Sequence, residues 1–79
     1  MTNLEKYNKI FVDTFSVEEK VLGDGFCKCA VNGWDSVHQL SLVSSCEDEF
    51  SIMLEPEDIL GFVSYAAGKD ILKKYGVEL

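Results

Sequence analysis

The chain has 79 residues, a hydrophobic share of 47% and a formal net charge of −7, which bounds it to one small domain with a real core and excludes a disordered chain. Every basic residue is a lysine. With no arginine fork for phosphate or guanine and an excess of acid, nucleic acid is excluded as a partner.

No apolar run is long enough to cross a bilayer, and no basic start leads into an apolar stretch. Neither membrane insertion nor a signal peptide is expected, and the expected location is cytoplasmic. Three cysteines do not close a disulfide framework, so reduced thiols are expected. A domain of this size buries only about 60% of its unfolded surface. No repeat or linker is visible, and residues 1–79 read as one domain.

Thr2 and Glu5 have capping-box spacing. Leu4, Tyr7, Ile10, Phe11 and Phe15 follow on one face, predicting a helix over 3–15. Ser16 and Glu19 repeat the capping spacing, suggesting a short turn near 17–21. Gly23, Gly25, Asn32 and Gly33 then break any longer helix. The segment Phe26 to Val31 has strand-like composition but no partner strand, so 16–34 reads as a long loop. Val21, Leu22, Phe26 and Val31 are its expected ties to the core, and Trp34 is expected to cover the core. Loops of this length are commonly functional.

Asp35 is a good N-cap for a second helix over 36–50. Leu40, Leu42, Val43, Cys46 and Phe50 form its expected core stripe, with Ser41, Ser44, Ser45 and Asp48 opposite. Val37 falls outside that stripe. Pro56 suits the first position of a short third helix, with Glu57 and Asp58 at its positive end. Ser64 can cap a fourth helix over 65–75, whose apolar side is Ile71, Leu72 and Tyr75 and whose stop is Gly76. The expected fold is all-α: a small bundle of three longer helices and one short, with a long loop between the first two.

The chemistry centres on Asp35-Ser36-Val37. A hydrolase reading fails, because His38, the one histidine, lies two residues from Ser36 and points about 200° away on a helix. The G-x-S-x-G elbow is also missing. His38 is expected to be an exposed helical residue. A zinc site built from Cys27, Cys29, His38 and Cys46 lacks the two well-spaced pairs that zinc favours, and Cys46 on the core stripe reads as a small hydrophobe. A calcium loop after Asp24-Gly25 fails for want of alternating acids. Ser36 as an attachment point fits better. Its hydroxyl stands at a helix N-terminus, where free N–H groups and the positive dipole end favour an attached anion, and Asp35 already serves as the cap.

Asp35-Ser36-Val37 resembles the D-S-L signature of acyl carrier proteins. Leu40, the run Cys46-Glu47-Asp48-Glu49-Phe50, then Ile52 and Leu54 resemble that family's second helix and exit. Glu57-Asp58-Ile59 resembles its third-helix start, and Gly68, Ile71 and Leu72 its final helix. The resemblance covers essentially the whole chain. It implies a four-helix bundle that is not itself an enzyme. A phosphopantetheinyl transferase would use coenzyme A and Mg²⁺ to attach 4′-phosphopantetheine covalently to Ser36, with Asp35 positioning the serine. The arm's thiol would carry acyl groups as thioesters in fatty-acid, polyketide or other specialised biosynthesis. Val37, Glu47 and Asp48 would meet partner enzymes, the acids facing basic patches in weak, charge-steered contacts, and the carrier is expected to be a monomer. The chain departs from the family's usual pattern at Val37, at Gln39 and Ser41 where acids are common, and at Cys46 where leucine is usual. These departures imply a partner choice different from that of the fatty-acid set. An aminoacyl carrier of the same fold and an unmodified acidic docking module are the alternative readings.

Overall fold

The computed structural model describes residues 2–79 as helices α1 (Asn3–Phe15), α2 (Ser36–Phe50), α3 (Pro56–Gly61) and α4 (Tyr65–Lys74), with a 3-10 turn at Glu19–Val21. Among the described residues there is no strand, only an isolated antiparallel bridge between Cys27 and Ser64. The molecule is a small all-α bundle in which α1 packs against α2 and α3 against α4.

Each helix end has a local cause. Thr2 Oγ1 accepts from the Glu5 amide and Glu5 Oε1 accepts from the Thr2 amide, both at 3.1 Å, so the capping box is complete. Ser64 Oγ accepts from the Ala67 amide at 2.9 Å and starts α4. Gly76, at φ +85°, ends it. The Val77 amide donates to the Leu72 carbonyl and the Gly76 amide to that of Lys73, the paired bonds of a Schellman stop. Ser16 and Ser51 close α1 and α2 in the same left-handed region, both at φ 53°, a conformation that costs a residue with a Cβ more than glycine. Ser16 therefore terminates α1 rather than starting the next turn. The 3-10 turn begins after Glu18 with no side-chain cap, so the expected Ser16–Glu19 pairing does not form.

The core is largely aromatic. Phe11 is fully buried, its ring between 5.3 and 6.4 Å from those of Phe26, Trp34, Phe62 and Tyr65. Such pairs add about 0.5–1.5 kcal/mol each beyond area burial. They gather the long loop, through Phe26 and Trp34, onto α1 and the α3–α4 corner. Leu22 and Val31 pack partly against this core. Val21 is 48% exposed and does not pack against the core, which corrects its assignment as a tie.

Tyr7 is buried, and its hydroxyl donates to the Tyr65 carbonyl at 2.6 Å. Burial, with smaller contributions from neighbouring acidic groups, drives that hydroxyl's pKa far above its usual value. Gly68 makes the approach possible: a Cβ there would collide with Tyr7 Oη and lie 2.6 Å from the Phe62 ring. Cys46 is fully buried, as expected of a small hydrophobe. Burial, then the charge of Glu47, pushes its thiol up to about 12.

A polar clamp joins α3 to the end of α4. Asp58, at 7% exposure, accepts from Lys74 Nζ at 2.7 Å and from Tyr75 Oη at 2.5 Å. The Tyr75 oxygen in turn accepts from the Glu55 amide at 3.1 Å. Lys74, then Tyr75, holds the Asp58 carboxyl below its usual range. Lys74 is raised in return, as is Tyr75, whose proton is committed to Asp58. Asp58 stands in the first turn of α3, as expected of an acid at its positive end, and it also fastens two helices. No helix among the described residues is long and apolar enough to cross a membrane.

Candidate functional site

Asp35 caps α2, its Oδ1 accepting from the His38 amide at 2.9 Å. The same oxygen meets His38 Nδ1 at 2.8 Å. The backbone and side-chain bonds from His38, in that order, lower the Asp35 pKa. His38, expected to be an exposed helical residue, keeps 40% of its side chain exposed, and its ring also stacks on Phe15, with centroids 5.8 Å apart and planes 16° from parallel. Phe15 ends α1, so this contact ties the tip of α2 to α1.

Ser36, the first residue of α2, is exposed. Among the described residues, no hydrogen bond engages its hydroxyl. It borders a cleft of about 260 Å³ shared with Lys28, Gln39, Leu40, Ile59, Leu60 and Val63. The walls thus come from three places: the long loop, α2, and α3 with its exit.

Gln39 is the bracket that holds these walls. Its Oε1 accepts from Trp34 Nε1, while its Nε2 donates to the carbonyls of Ile59 and Phe62 at 2.8 and 2.7 Å. This network satisfies the amide and two backbone acceptors. It also explains how a polar residue occupies the inner face of α2. Successive residues turn by about 100°, which places Gln39 between Cys46 and Phe50 in projection, at the centre of the buried side.

The same geometry corrects the assignment of Leu40 to the core stripe. Leu42, Val43 and Cys46 face inward, and Leu40 projects about 100° from the middle of that face. It is 63% exposed. One helical turn from Ser36, it forms the lip of the cleft. Leu60, at 79% exposure, and Val63 continue the apolar rim from the other side. Leu40, Leu60, Val63 and Lys28 were not singled out as site residues from the sequence. The i, i+4 relation of Ser36 to Leu40 was the one signal present, while the others reach the serine only through folding.

Val37 lies outside the core, as expected, at 73% exposure. Glu47 and Asp48 are not brought to the serine. They lie eleven and twelve residues along the same helix, about 16–18 Å away at the α-helical rise. Asp48 is exposed. Glu47 is half-buried, and its Oε2 accepts from the Leu54 amide at 2.9 Å, so part of its charge serves the exit from α2.

Cys27 and Cys29 are joined in a disulfide, which corrects the expectation of reduced thiols. Two of the three cysteines pair locally and leave Cys46 free in the core. Among the described residues, no group of three or more His, Cys, Asp or Glu side chains is placed to hold a metal ion.

No protein-family model matches the chain, and neither does any curated protein.

Proposed function

We propose that the chain is a discrete acyl carrier, in which Ser36 bears a covalent 4′-phosphopantetheine arm. The observation that supports this reading most directly is the idle state of the Ser36 hydroxyl. It is exposed at the start of α2, Asp35 takes the capping role, and the serine opens onto an apolar cleft. A serine with no task inside the fold, at a helix tip, is suited to a task outside it.

The surroundings fit the group. A phosphodiester on Ser36 Oγ would meet the positive end of a fifteen-residue helix, and Lys28 borders the same cleft. Leu40, Ile59, Leu60 and Val63 offer apolar surface to the arm or to the enzymes that serve it. Bound there, the group supplies a mobile thiol that carries acyl chains as thioesters. The protein's own part is to hold the attachment oxygen outward, keep the helix tip ordered through Asp35 and His38, and present an apolar rim beside it. Exposed Val37 and Asp48 extend that surface for partners.

The test is mass spectrometry after incubation with coenzyme A, Mg²⁺ and a broad-specificity phosphopantetheinyl transferase. One added phosphopantetheine is expected on the wild type and none on Ser36→Ala. Ser36→Ala should remain folded, since the capping bond belongs to Asp35. A folded wild type left unmodified by an active transferase overturns the proposal in favour of an unmodified docking module. Loading assays with acyl and aminoacyl donors then separate the two kinds of carrier.

A further inference from the structure

The disulfide between Cys27 and Cys29 spans a single intervening residue, Lys28. In the chain-entropy account a cross-link stabilises more as its loop lengthens, so a loop this short gains the least. Neither sulfur belongs to the buried core. The bond therefore does little as a staple, and its position suggests another use.

Cys29 is exposed and Cys27 half-buried. Beneath the bond, the amides of Ala30 and Val31 both donate to the Cys27 carbonyl at 3.0 Å, closing a tight turn. That turn is tied laterally to the α3–α4 connection. The Lys28 amide donates to the Val63 carbonyl and the Tyr65 amide to the Phe26 carbonyl, each at 2.8 Å, around the Cys27–Ser64 bridge. Lys28 and Val63 also line the cleft beside Ser36. One turn thus carries an accessible disulfide on one side and a cleft wall on the other.

We propose that Cys27–Cys29 is a thiol–disulfide exchange site for a dithiol reductant, and that its redox state is transmitted to the cleft through the Lys28–Val63 hydrogen bond. Exposure selects the sulfur attacked. A thiolate of the dithiol attacks Cys29 Sγ. A mixed disulfide forms, the Cys27–Cys29 bond breaks, and its electron pair leaves on Cys27 Sγ, which takes a proton from water. The second thiolate of the dithiol attacks its own sulfur in the mixed disulfide and releases Cys29 as a thiolate. The dithiol ends as a disulfide and the protein as two thiols. Reduction frees the turn to relax, and Lys28 and Val63 move with it. This inference does not depend on Ser36 carrying an arm.

The full-length protein, first treated with oxidised glutathione, is labelled with iodoacetamide while folded, with and without dithiothreitol, and the labels are located by peptide mass spectrometry. Without reductant no label is expected, since the remaining cysteine, Cys46, is buried. With dithiothreitol two cysteine labels are expected, on Cys27 and Cys29, counted apart from any label on an arm at Ser36. Labels on this pair before reduction, or a bond that dithiothreitol opens only after unfolding, would overturn the exchange site. Amide NMR spectra of the two forms test the coupling. Shifts are expected at Val63, Ser64 and Tyr65 as well as within 27–31, with the amides of α1 unmoved. Shifts confined to 27–31 would overturn the link to the cleft. Finally, Cys27→Ser should take up glutathione at Cys29 faster than Cys29→Ser does at Cys27, and the reverse order would overturn the assignment of the attacked sulfur.

Discussion

Gln39 Nε2 donates to the Phe62 carbonyl oxygen at 2.7 Å, across 23 residues of sequence. With its bonds to Trp34 and Ile59, this contact sets the separation between α2 and the exit of α3, and so the width of the cleft at Ser36.

Replacing Gln39 by leucine should strand the Trp34 N–H and the Phe62 carbonyl, while the Ile59 carbonyl keeps its bond from the Phe62 amide. Stranded polar groups cost about 1–3 kcal/mol each when buried, and less here because the site is partly exposed. Urea unfolding should therefore show a loss of roughly 1–3 kcal/mol. Gln39→Glu is the sharper variant. Its carboxylate can accept from Trp34 but has no N–H for the carbonyls of Ile59 and Phe62. Protonation returns one donor, so the deficit relative to wild type should shrink as pH falls toward about 4. A deficit that does not change with pH would contradict this bonding pattern.

Gly68→Ala sets two effects against each other. Alanine is favoured over glycine inside a helix by about 1 kcal/mol. Here the added methyl meets Tyr7 Oη and the Phe62 ring, both in fully buried residues. Overpacking of this kind costs about 1–3 kcal/mol or more, so the net change should be destabilising. For a domain of this length each kcal/mol lowers the melting temperature by about 4–8 °C. A melting temperature that rises would mean the Tyr7 hydroxyl can leave Tyr65 without cost.

The Asp58 clamp makes the fold acid-sensitive. The Asp58 pKa is lowered in the folded state, first by Lys74 and then by Tyr75. A depressed carboxyl contributes stability above its unfolded pKa, about 3.9, and that contribution is lost as pH falls through the folded value. Lys74 and Tyr75 are raised. Their contribution is present below their unfolded values, near 10, and is lost as pH rises through the folded ones. Denaturant midpoints measured from about pH 5 downward should therefore fall more steeply for wild type than for Asp58→Asn. Parallel curves would show that the clamp carries no proton linkage.

Leu40→Ser and Leu60→Ser should separate function from folding. Both side chains are exposed, so unfolding free energies should stay within about 0.5 kcal/mol of wild type. The rate of phosphopantetheine transfer to Ser36 should drop in both. Added salt should slow the wild-type reaction as well, if the acids steer the transferase. Unchanged rates in both variants would remove the apolar rim from the proposed site.

The helices and their ends were legible in the sequence because their causes are local. Thr2 with Glu5, Asp35, Pro56, Ser64 and Gly76 act on backbone groups within a few residues. The apolar periodicity of α1 then had a single buried side to choose. The candidate serine was legible for the same reason, since it is defined by its place on a helix tip.

The cleft beside that serine was decided only by tertiary structure. Leu40 reads as core because it is apolar, and nothing in the pattern gives polar Gln39 a place inside. Packing left Leu40 outside and took Gln39 in, because Leu42, Val43 and Cys46 turn into the core while the Gln39 amide finds its partners on Trp34, Ile59 and Phe62. The pairing of Cys27 with Cys29, the stacking of His38 on Phe15 and the buried role of Asp58 have the same origin. Hydrophobic periodicity ranks residues one at a time. Which polar atoms become satisfied, and which apolar ones stay outside, depends on partners brought together from distant parts of the chain.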